Sequence, residues 1–452
     1  MTHFKLDLPA EVLQIIQVLN KNGHSAYVVG GCVRDCILGR APGDWDITTS
    51  AKPGTVKTLF SKTVDTGIKH GTVSVILEGK RFEVTTYRID GEYADNRRPE
   101  RVEFTSSVVL DLSRRDFTVN AISYHPSEGL VDPFNGLMDI KNRIIKTVGN
   151  AGDRFKEDAL RMLRAIRFSA QLNFTIESAT YEAIKSNNHL IRNISFERIR
   201  DELTKILISG QPGKFALLKD THLLEHIMPE FCACFATPQN NPYHIYNVAE
   251  HTLKSVANIK NEEVLRWTML LHDIGKTTTR TTDEMGIDHF YGHEEESVRM
   301  SGKILRRLKF DRKSIEIILR LIRHHDRIIE PNEKAVRRAA SAVGADIFED
   351  LLKVKKADNE AQNPELCRDT LNNLERIKNI FQSIKEKKEC LSIKDLEING
   401  HDLIALGYRQ GKEIGTVLNR LLQTVLDNPD MNIRDKLIQK AGEWLEKGFD
   451  GE

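Results

Sequence analysis

The stretch Ala26–Ser50, AYVVGGCVRDCILGRAPGDWDITTS, decides the reading of the N-terminal third of this chain. AYVVGG has the apolar, β-branched character of a buried strand and closes on two glycines, Gly30 and Gly31. CVRDCILG follows as a short helix. Asp44 and Asp46 stand two apart in GDWDITTS, so on a strand both carboxylates point to one side. Glycine amides are open to a polyphosphate, because no Cβ blocks the approach. Paired carboxylates suit Mg²⁺, which takes oxygen ligands together with substrate phosphates. Strand, phosphate-cradling turn and metal-binding pair, in this order, describe a nucleotidyl-transfer site.

Downstream, SVILEG, RFEVTTYR and RVEFTSS read as strands separated by Gly-rich or charged breaks. Glu83 in RFEVTTYR adds a third carboxylate, which either completes a two-metal site or serves as the base. DGEYADNRRPERVEF (90–104) is a polar, Gly- and Arg-rich loop with the composition of a mobile lid. In RRDFTVNA (114–121), arginines can clamp phosphates, and Asp116 and Asn120 can hydrogen-bond ribose hydroxyls. VDPFNG (131–136) reads as a structural turn. Residues 1 to about 150 therefore form an α/β or α+β head. From 151 onward the apolar period moves to about 3.6, and the chain is expected to stay helical to its end. The run from Phe155 to Arg164 reads as one helix with Asp158 and Arg161 at i and i+3 on a shared face. They either form a salt bridge or read a base, the carboxylate accepting from a cytosine amino group and the guanidinium donating to ring nitrogen or carbonyl.

A second constellation follows: His251, then His272-Asp273 in LLHDIGK, His293 in GHEEES, His324-His325 in IRHHDR and Asp358 in KADNEAQ. An HD pair inside the apolar run LRWTMLLHDIGK is costly to bury without a partner. Imidazoles and carboxylates spread along helices can hold one or two transition metals for phosphoester hydrolysis. The expected ligand set is His251, His272, Asp273, His293, His324 and Asp358. His244 and His325 are extra histidines without an assigned role.

At 452 residues the chain is long enough for two to four domains, and 40% hydrophobic with 29% charged residues is ordinary globular composition. Breaks at TPQNNPY (237–243) and NPEL (363–366) place boundaries that give domains 1–150, 151–236, 237–370 and 371–452. The charged run KEKKEC (385–390) links to a last segment whose Gly407–Gly415 turn precedes a helix, and helix N-terminal amides can take a backbone phosphate. No apolar run reaches spanning length, and the N-terminus has an amphipathic-helix pattern rather than that of a signal peptide. Six scattered cysteines match neither a CxxC nor a zinc-ribbon spacing, which points to reduced thiols and a cytoplasmic location. Net charge is only +1, but residues 154–200 carry nine Lys/Arg against five Asp/Glu, and 298–327 ten against three. Such basic faces can follow a phosphate backbone.

The window GGCVRDCILGRAPGDWDITTS resembles the opening motif of the class II tRNA nucleotidyltransferase and bacterial poly(A) polymerase superfamily. RRDFTVNA is similar to that family's ribose-recognition motif, EDALRMLR to its EDxxRxxR base-contacting motif, and SFERIRDEL (195–203) to the next neck motif. The order H…HD…H…H…D resembles the HD phosphohydrolase superfamily, whose domain is found fused to some bacterial tRNA nucleotidyltransferases. Residues 395–430 resemble the tRNA-contacting C-terminal domain of those enzymes. The resemblance implies an α+β multidomain protein, a nucleotidyltransferase α/β head followed by an all-helical neck, HD domain and tail. It implies untemplated addition of C and A to the tRNA 3′ end from CTP and ATP, with the 90–104 loop supporting the final adenosine. Asp44 and Asp46 would hold Mg²⁺ with Glu83 as the third catalytic carboxylate, and Gly30, Gly31 and Arg34 would hold the triphosphate. Arg115, Asp116 and Asn120 would sense the ribose, and Asp158, Arg161 and Arg164 the base. Mn²⁺, Ni²⁺, Co²⁺, Fe²⁺ or Zn²⁺ would suit the HD site. Three other readings stay open: addition of only A or only C, poly(A) polymerase, and an HD phosphohydrolase with a degenerate nucleotide-binding head. The intact DxD and EDxxR motifs argue against the last.

Overall fold

Apolar spacing at i, i+3, i+4 and i+7 sets the first element, α1 (Ala10–Lys21), which buries Val12, Ile15, Ile16 and Leu19. The structure, a computed structural model, describes residues 5–91 and 102–447. It divides into two units, Met1–Pro229 and Glu230–Glu452. After α1 come β1 (Ala26–Val29), α2 (Gly31–Ile37), β2 (Asp46–Thr49), α3 (Pro53–Leu59), β3 (Thr63–Gly67), β4 (Thr72–Leu77) and β5 (Lys80–Thr86). A small pair, β6 (Arg88–Asp90) with β7 (Val102–Phe104), flanks the loop expected to be a lid, of which residues 92–101 lie outside the described residues. Then follow α4 (Val108–Ser113), β8 (Ser123–His125), β9 (Gly129–Val131) and α5 (Gly136–Asn142).

Seven strands form one sheet in the order β3-β4-β5-β2-β1-β8-β9. β1 is buried along its whole length, as its Ala-Tyr-Val-Val run demands of a central strand. β2 pairs antiparallel with β1 and parallel with β5, in a register that sets Asp46 opposite Glu83. Strand β2 begins at Asp46, so Asp44 lies in the preceding Pro42-Gly43 turn region rather than on the strand with it.

The helical part of the first unit holds β10 (Ile144–Ile145), α6 (Ala151–Glu157), α7 (Leu160–Leu172), β11 (Thr175–Ile176), α8 (Ser178–Asn187), α9 (Phe196–Leu207), α10 (Leu217–Asp220) and α11 (Leu223–Ile227). β10 and β11 pair in parallel, a departure from the purely helical expectation. A second departure concerns the run from Phe155 to Arg164, which is two helices. The backbone leaves the helical region at Asp158 (φ −138°, ψ 104°), whose carboxylate accepts from the Leu160 amide at 3.0 Å. A side chain that caps a new helix ends the old one. α7 is buried nearly all round, as a helix at the centre of a packed unit must be.

The second unit contains α12 (Pro229–Ala236), α13 (Val248–Asn258), α14 (Glu263–Leu271), α15 (Lys276–Thr279), the hairpin β12 (Thr281–Thr282) and β13 (Asp288–His289), α16 (His293–Arg307) and α17 (Arg312–His324). It continues through α18 (Glu333–Val343), α19 (Phe348–Asn359), α20 (Pro364–Glu386), α21 (Gly400–Leu406), α22 (Lys412–Asp427) and α23 (Arg434–Glu446). Trp267 meets Phe310 edge-on at 5.1 Å, and Phe348 meets Phe381 at 4.7 Å. The boundary expected at 370/371 falls inside α20. Asn363 caps that helix and Pro364 occupies its first turn, so the NPEL break is the start of α20. All six cysteines are free thiols. No helix among the described residues is long and apolar enough to cross a membrane.

Candidate functional site

The glycine turn joins β1 to α2 with Gly30 at φ +85°, a conformation that side chains rarely adopt. A Cβ there would also lie 2.8 Å from Arg115 Nη1, so the missing side chain lets a guanidinium settle on the turn. Arg34 Nη2 lies beside Gly31 from the helix that follows. Two guanidiniums thus flank the two glycines. Arg34 is buried and donates to Asp35 at 2.8 and 2.9 Å and to Asn120 Oδ1 at 2.5 Å.

Asp46 opens the strand beside this turn, with Glu83 opposite it on β5. Asp44 and Glu83 are exposed and Asp46 is half-buried. Burial, followed by the negative charge of Asp44, pushes the Asp46 carboxyl up to about 6, with Arg115 opposing and Glu83 adding to the rise. Among the described residues none of the three carboxylates forms an ion pair, although the Arg115 charge reaches Asp46. They are spaced more widely than a closed metal cage, since no group with ligand atoms within 4.8 Å includes them. That openness is compatible with Mg²⁺, which keeps several waters.

Asp116 and Asn120 are built into a chain of hydrogen bonds. Asn120 Nδ2 donates to Asp116 Oδ1 at 3.1 Å, and Arg164 donates to Asp116 Oδ2 at 2.8 and 2.5 Å. Burial opposes the Asp116 charge, but Arg164 and Asn120 more than offset it and hold the carboxyl well below the usual range. Asp158 and Arg161 do not pair with each other. Asp158 takes Arg198 at 2.9 Å, while Arg161 pairs with Glu157 and donates to the Arg114 carbonyl at 3.1 Å. Both line one cavity of about 280 Å³ with Arg115, Asp116, Arg164 and Arg198. Arg198 and Asp111 are missing from the sequence-based set. Asp111 is fully buried, binds Arg114 at 2.7 Å and lies 3.7 Å from Arg115. Its i+3 and i+4 spacing to those arginines was the available signal.

In the second unit four histidines converge. His251, His272, His293 and His325 turn their Nε2 atoms onto Asp273 and Asp358. His251 Nε2 is 2.8 Å from Asp358, and His272 Nε2 is 3.4 Å from both carboxylates. His293 and His325 reach Asp273 Oδ1 at 3.4 and 3.5 Å. The other ring nitrogens of His272, His293 and His325 donate to the carbonyls of Met269, Phe290 and Ile322 at 2.7, 2.9 and 2.6 Å. That tautomer leaves Nε2 as a bare lone pair facing carboxylate oxygen, which is repulsive unless a cation lies between. His272 Nε2 is buried without a hydrogen-bond partner, and Asp273 Oδ2 has the Lys276 ammonium at 2.7 Å. This donor set fits a transition metal. Gly275 makes the convergence possible, because a Cβ there would meet the His293 carbonyl at 2.4 Å.

His324, expected as a ligand, is only half-buried and belongs to none of the converging groups; His325 takes that place. Helix period explains the correction. Ile318, Leu321 and Ile322 form the buried face of α17, and His325 continues it, whereas His324 lies one turn from Arg320. Lys276, also missed, contacts Asp273 at 2.7 Å and Gln239 at 2.9 Å. His244 packs edge-on against His251, and burial with Lys276 nearby pushes it down to about 3, so it is a neutral wall of the site. The cluster opens into a cavity of about 510 Å³ whose rim carries Tyr243 and Tyr291, 55% and 79% exposed.

Three family descriptions match the chain: poly A polymerase head domain over residues 26–146, probable RNA and SrmB- binding site of polymerase A over 173–235, and HD domain over 243–363. The chain is 34% identical over 447 residues to the CCA-adding enzyme of Ligilactobacillus salivarius, covering 97% of each. It is 52% identical over 222 residues to the CCA-adding enzyme of Geobacillus thermodenitrificans, spanning 48% of this chain and 54% of that protein. Among solved structures, the CCA-adding enzyme of Bacillus stearothermophilus in complex with CTP is similar at a TM-score of 0.73 and 31% identity, over 97% of both chains.

Proposed function

The chain belongs to the CCA-adding enzyme family, and from that premise we propose that it completes tRNA 3′ ends with C and A, taking CTP and ATP without a nucleic-acid template. The observation that carries the reading is the glycine turn flanked by Arg34 and Arg115, set beside the carboxylates of Asp44, Asp46 and Glu83. The complex of the Bacillus stearothermophilus relative with CTP supports the nucleotide assignment. Gly30, Gly31 and Arg34 receive the triphosphate, and Arg115, expected on the ribose, lies against Gly30 and joins them. Asp44 and Asp46, with Glu83, would hold Mg²⁺, which supplies charge neutralisation for the polyphosphate when bound. The tRNA 3′ hydroxyl attacks the α-phosphorus in line, and the bond to pyrophosphate breaks. Asp116 and Asn120 face the ribose, while Asp158, Arg161 and Arg164 line the base cavity. Incubating the protein with tRNA transcripts that lack CCA, CA or only A, each NTP supplied separately, tests this. Stepwise C, C, A addition is expected. Addition of A alone or C alone marks a partial enzyme, and long A tails mark a poly(A) polymerase.

A second activity is favoured by the four imidazoles that converge on Asp273 and Asp358, with His272 Nε2 left without a hydrogen-bond partner. His251, His272, Asp273, His293, His325 and Asp358 would hold a transition metal, which supplies Lewis acidity for phosphoester hydrolysis when bound. Lys276 and the exposed rim tyrosines are positioned to meet an anionic, ring-bearing substrate at this cavity. Purified protein assayed with Mn²⁺, Ni²⁺ or Co²⁺ against a phosphoester panel, 2′,3′-cyclic phosphates included, tests this. Absence of bound metal and of hydrolysis across the panel leaves the domain as a tRNA-binding scaffold.

A further inference from the structure

Three guanidiniums gather on one phenyl ring in the first unit. Phe168, buried on α7, has Arg167 at 4.1 Å from its ring centroid, Arg34 at 5.2 Å and Arg164 at 5.4 Å. Each guanidinium has its own carboxylate: Arg34 has Asp35, Arg164 has Asp116, and Arg167 has Glu202 at 3.1 Å. Two of the three belong to different halves of the proposed site. Arg34 comes from the helix that follows the glycine turn, its Nη2 beside Gly31, and Arg164 from the helix that lines the base cavity. Those two are also joined on their polar side, because Arg34 holds Asn120, Asn120 holds Asp116, and Asp116 holds Arg164. Phe168 closes this chain into a circuit. Cations crowded in a buried region repel, and the electron-rich face of an aromatic ring offsets that repulsion without adding a charge. Burial, with repulsion from Arg164 and Arg34, pushes Arg167 down to about 10 even with Glu202 opposing. The ring is itself braced by Phe117, edge-to-face at 5.7 Å, in the segment that carries Asp116 and Asn120.

We propose that Phe168 is a positioning residue for nucleotide binding, its π-face coupling the triphosphate-holding turn at Arg34 to the base-lining helix at Arg164. The coupling rests on the reading that Arg34 serves the triphosphate and Arg164 the base cavity. A leucine of similar bulk keeps the core filled but loses the ring face. A tyrosine keeps it, and fluorine atoms drain it at nearly constant volume.

The test compares Phe168→Leu, Phe168→Tyr and a series of mono-, di- and trifluorophenylalanines placed at position 168 alone, in the full chain. KM and kcat for CTP and ATP are measured together with Tm. Phe168→Leu is expected to raise both KM values about three- to tenfold, with a smaller change in kcat, and Phe168→Tyr to restore them. Each added fluorine is expected to raise KM further at unchanged Tm. A flat KM across the fluorinated series, beside a lowered Tm in Phe168→Leu, makes the ring ordinary core packing and overturns the proposal. Arg34→Gln separates the premise from the coupling. An unchanged KM in that variant removes Arg34 from the triphosphate and the coupling with it. A raised KM there, beside the flat fluorine series, overturns the coupling alone.

Discussion

Asp46 shows how one side chain is tuned by its neighbours. Its carboxyl is pushed up to about 6 by burial and by Asp44, a cost that a bound cation would offset. Asp46→Asn keeps the shape but removes a ligand charge, and nucleotide addition is expected to fall by about 10³-fold or more. Unchanged Tm beside that loss assigns the effect to chemistry; near wild-type incorporation removes Asp46 from the site. Asp116 is the opposite case. Its folded carboxyl is held below the unfolded value of 3.8, so its contribution to stability is present above that pH and is lost as pH falls through and below it. Asp116→Asn is therefore expected to destabilise the protein by roughly 1.5–3 kcal/mol at pH 7. The gap from wild type should narrow as pH drops from 5 toward 3. Chemical denaturation at several pH values reads it, and a gap that widens in acid contradicts the ion-pair account.

At the scale of elements, helix period decides which side chains reach the sites. α17 buries Ile318, Leu321 and Ile322, and its period carries His325 inward and leaves His324 half-exposed. His325→Ala is expected to weaken transition-metal binding by at least about tenfold, while His324→Ala leaves it nearly unchanged. Metal content by mass spectrometry after limiting chelation decides between them, and equal loss in both variants returns His324 to the ligand set. The α6–α7 break works the same way. Asp158 caps α7 and pairs with Arg198, so the two base-lining side chains are held from separate partners. Of the two readings for Asp158 and Arg161, a salt bridge between them gives way to pairs with Arg198 and Glu157 that leave both at the cavity wall.

For the whole molecule, the two constellations sit in different units, and each is assembled from its own unit's residues. Their activities should therefore separate. Replacing His272 and Asp273 with Ala is expected to abolish phosphoester hydrolysis while CCA addition persists. Loss of ligands from a packed helical site also lowers stability, so Tm belongs beside both assays. Loss of addition at unchanged Tm contradicts independence of the two sites.

The strand-glycine-helix order of AYVVGGCVRDC, the DxD window and the H…HD…H…H…D order were all legible in the sequence. Local backbone preference and residue chemistry act over a few positions, and those motifs are short. So were the amphipathic α1 and the change from mixed to helical structure, because hydrophobic period is itself a property of sequence. Partner choice was not legible. Arg198 lies 40 positions from Asp158, and Asp358 lies 107 from His251, yet each pair is within 2.9 Å. Asp111 and Lys276 differ from these, because each pairs three positions away, and only their burial had to come from the fold. The tertiary structure alone decided that Asp46 faces Glu83 across two parallel strands, that His325 rather than His324 joins the histidine cluster, and that three arginines share the ring of Phe168. In each case packing selects one side chain among chemically equal neighbours, and that selection depends on distance in space rather than on distance along the chain.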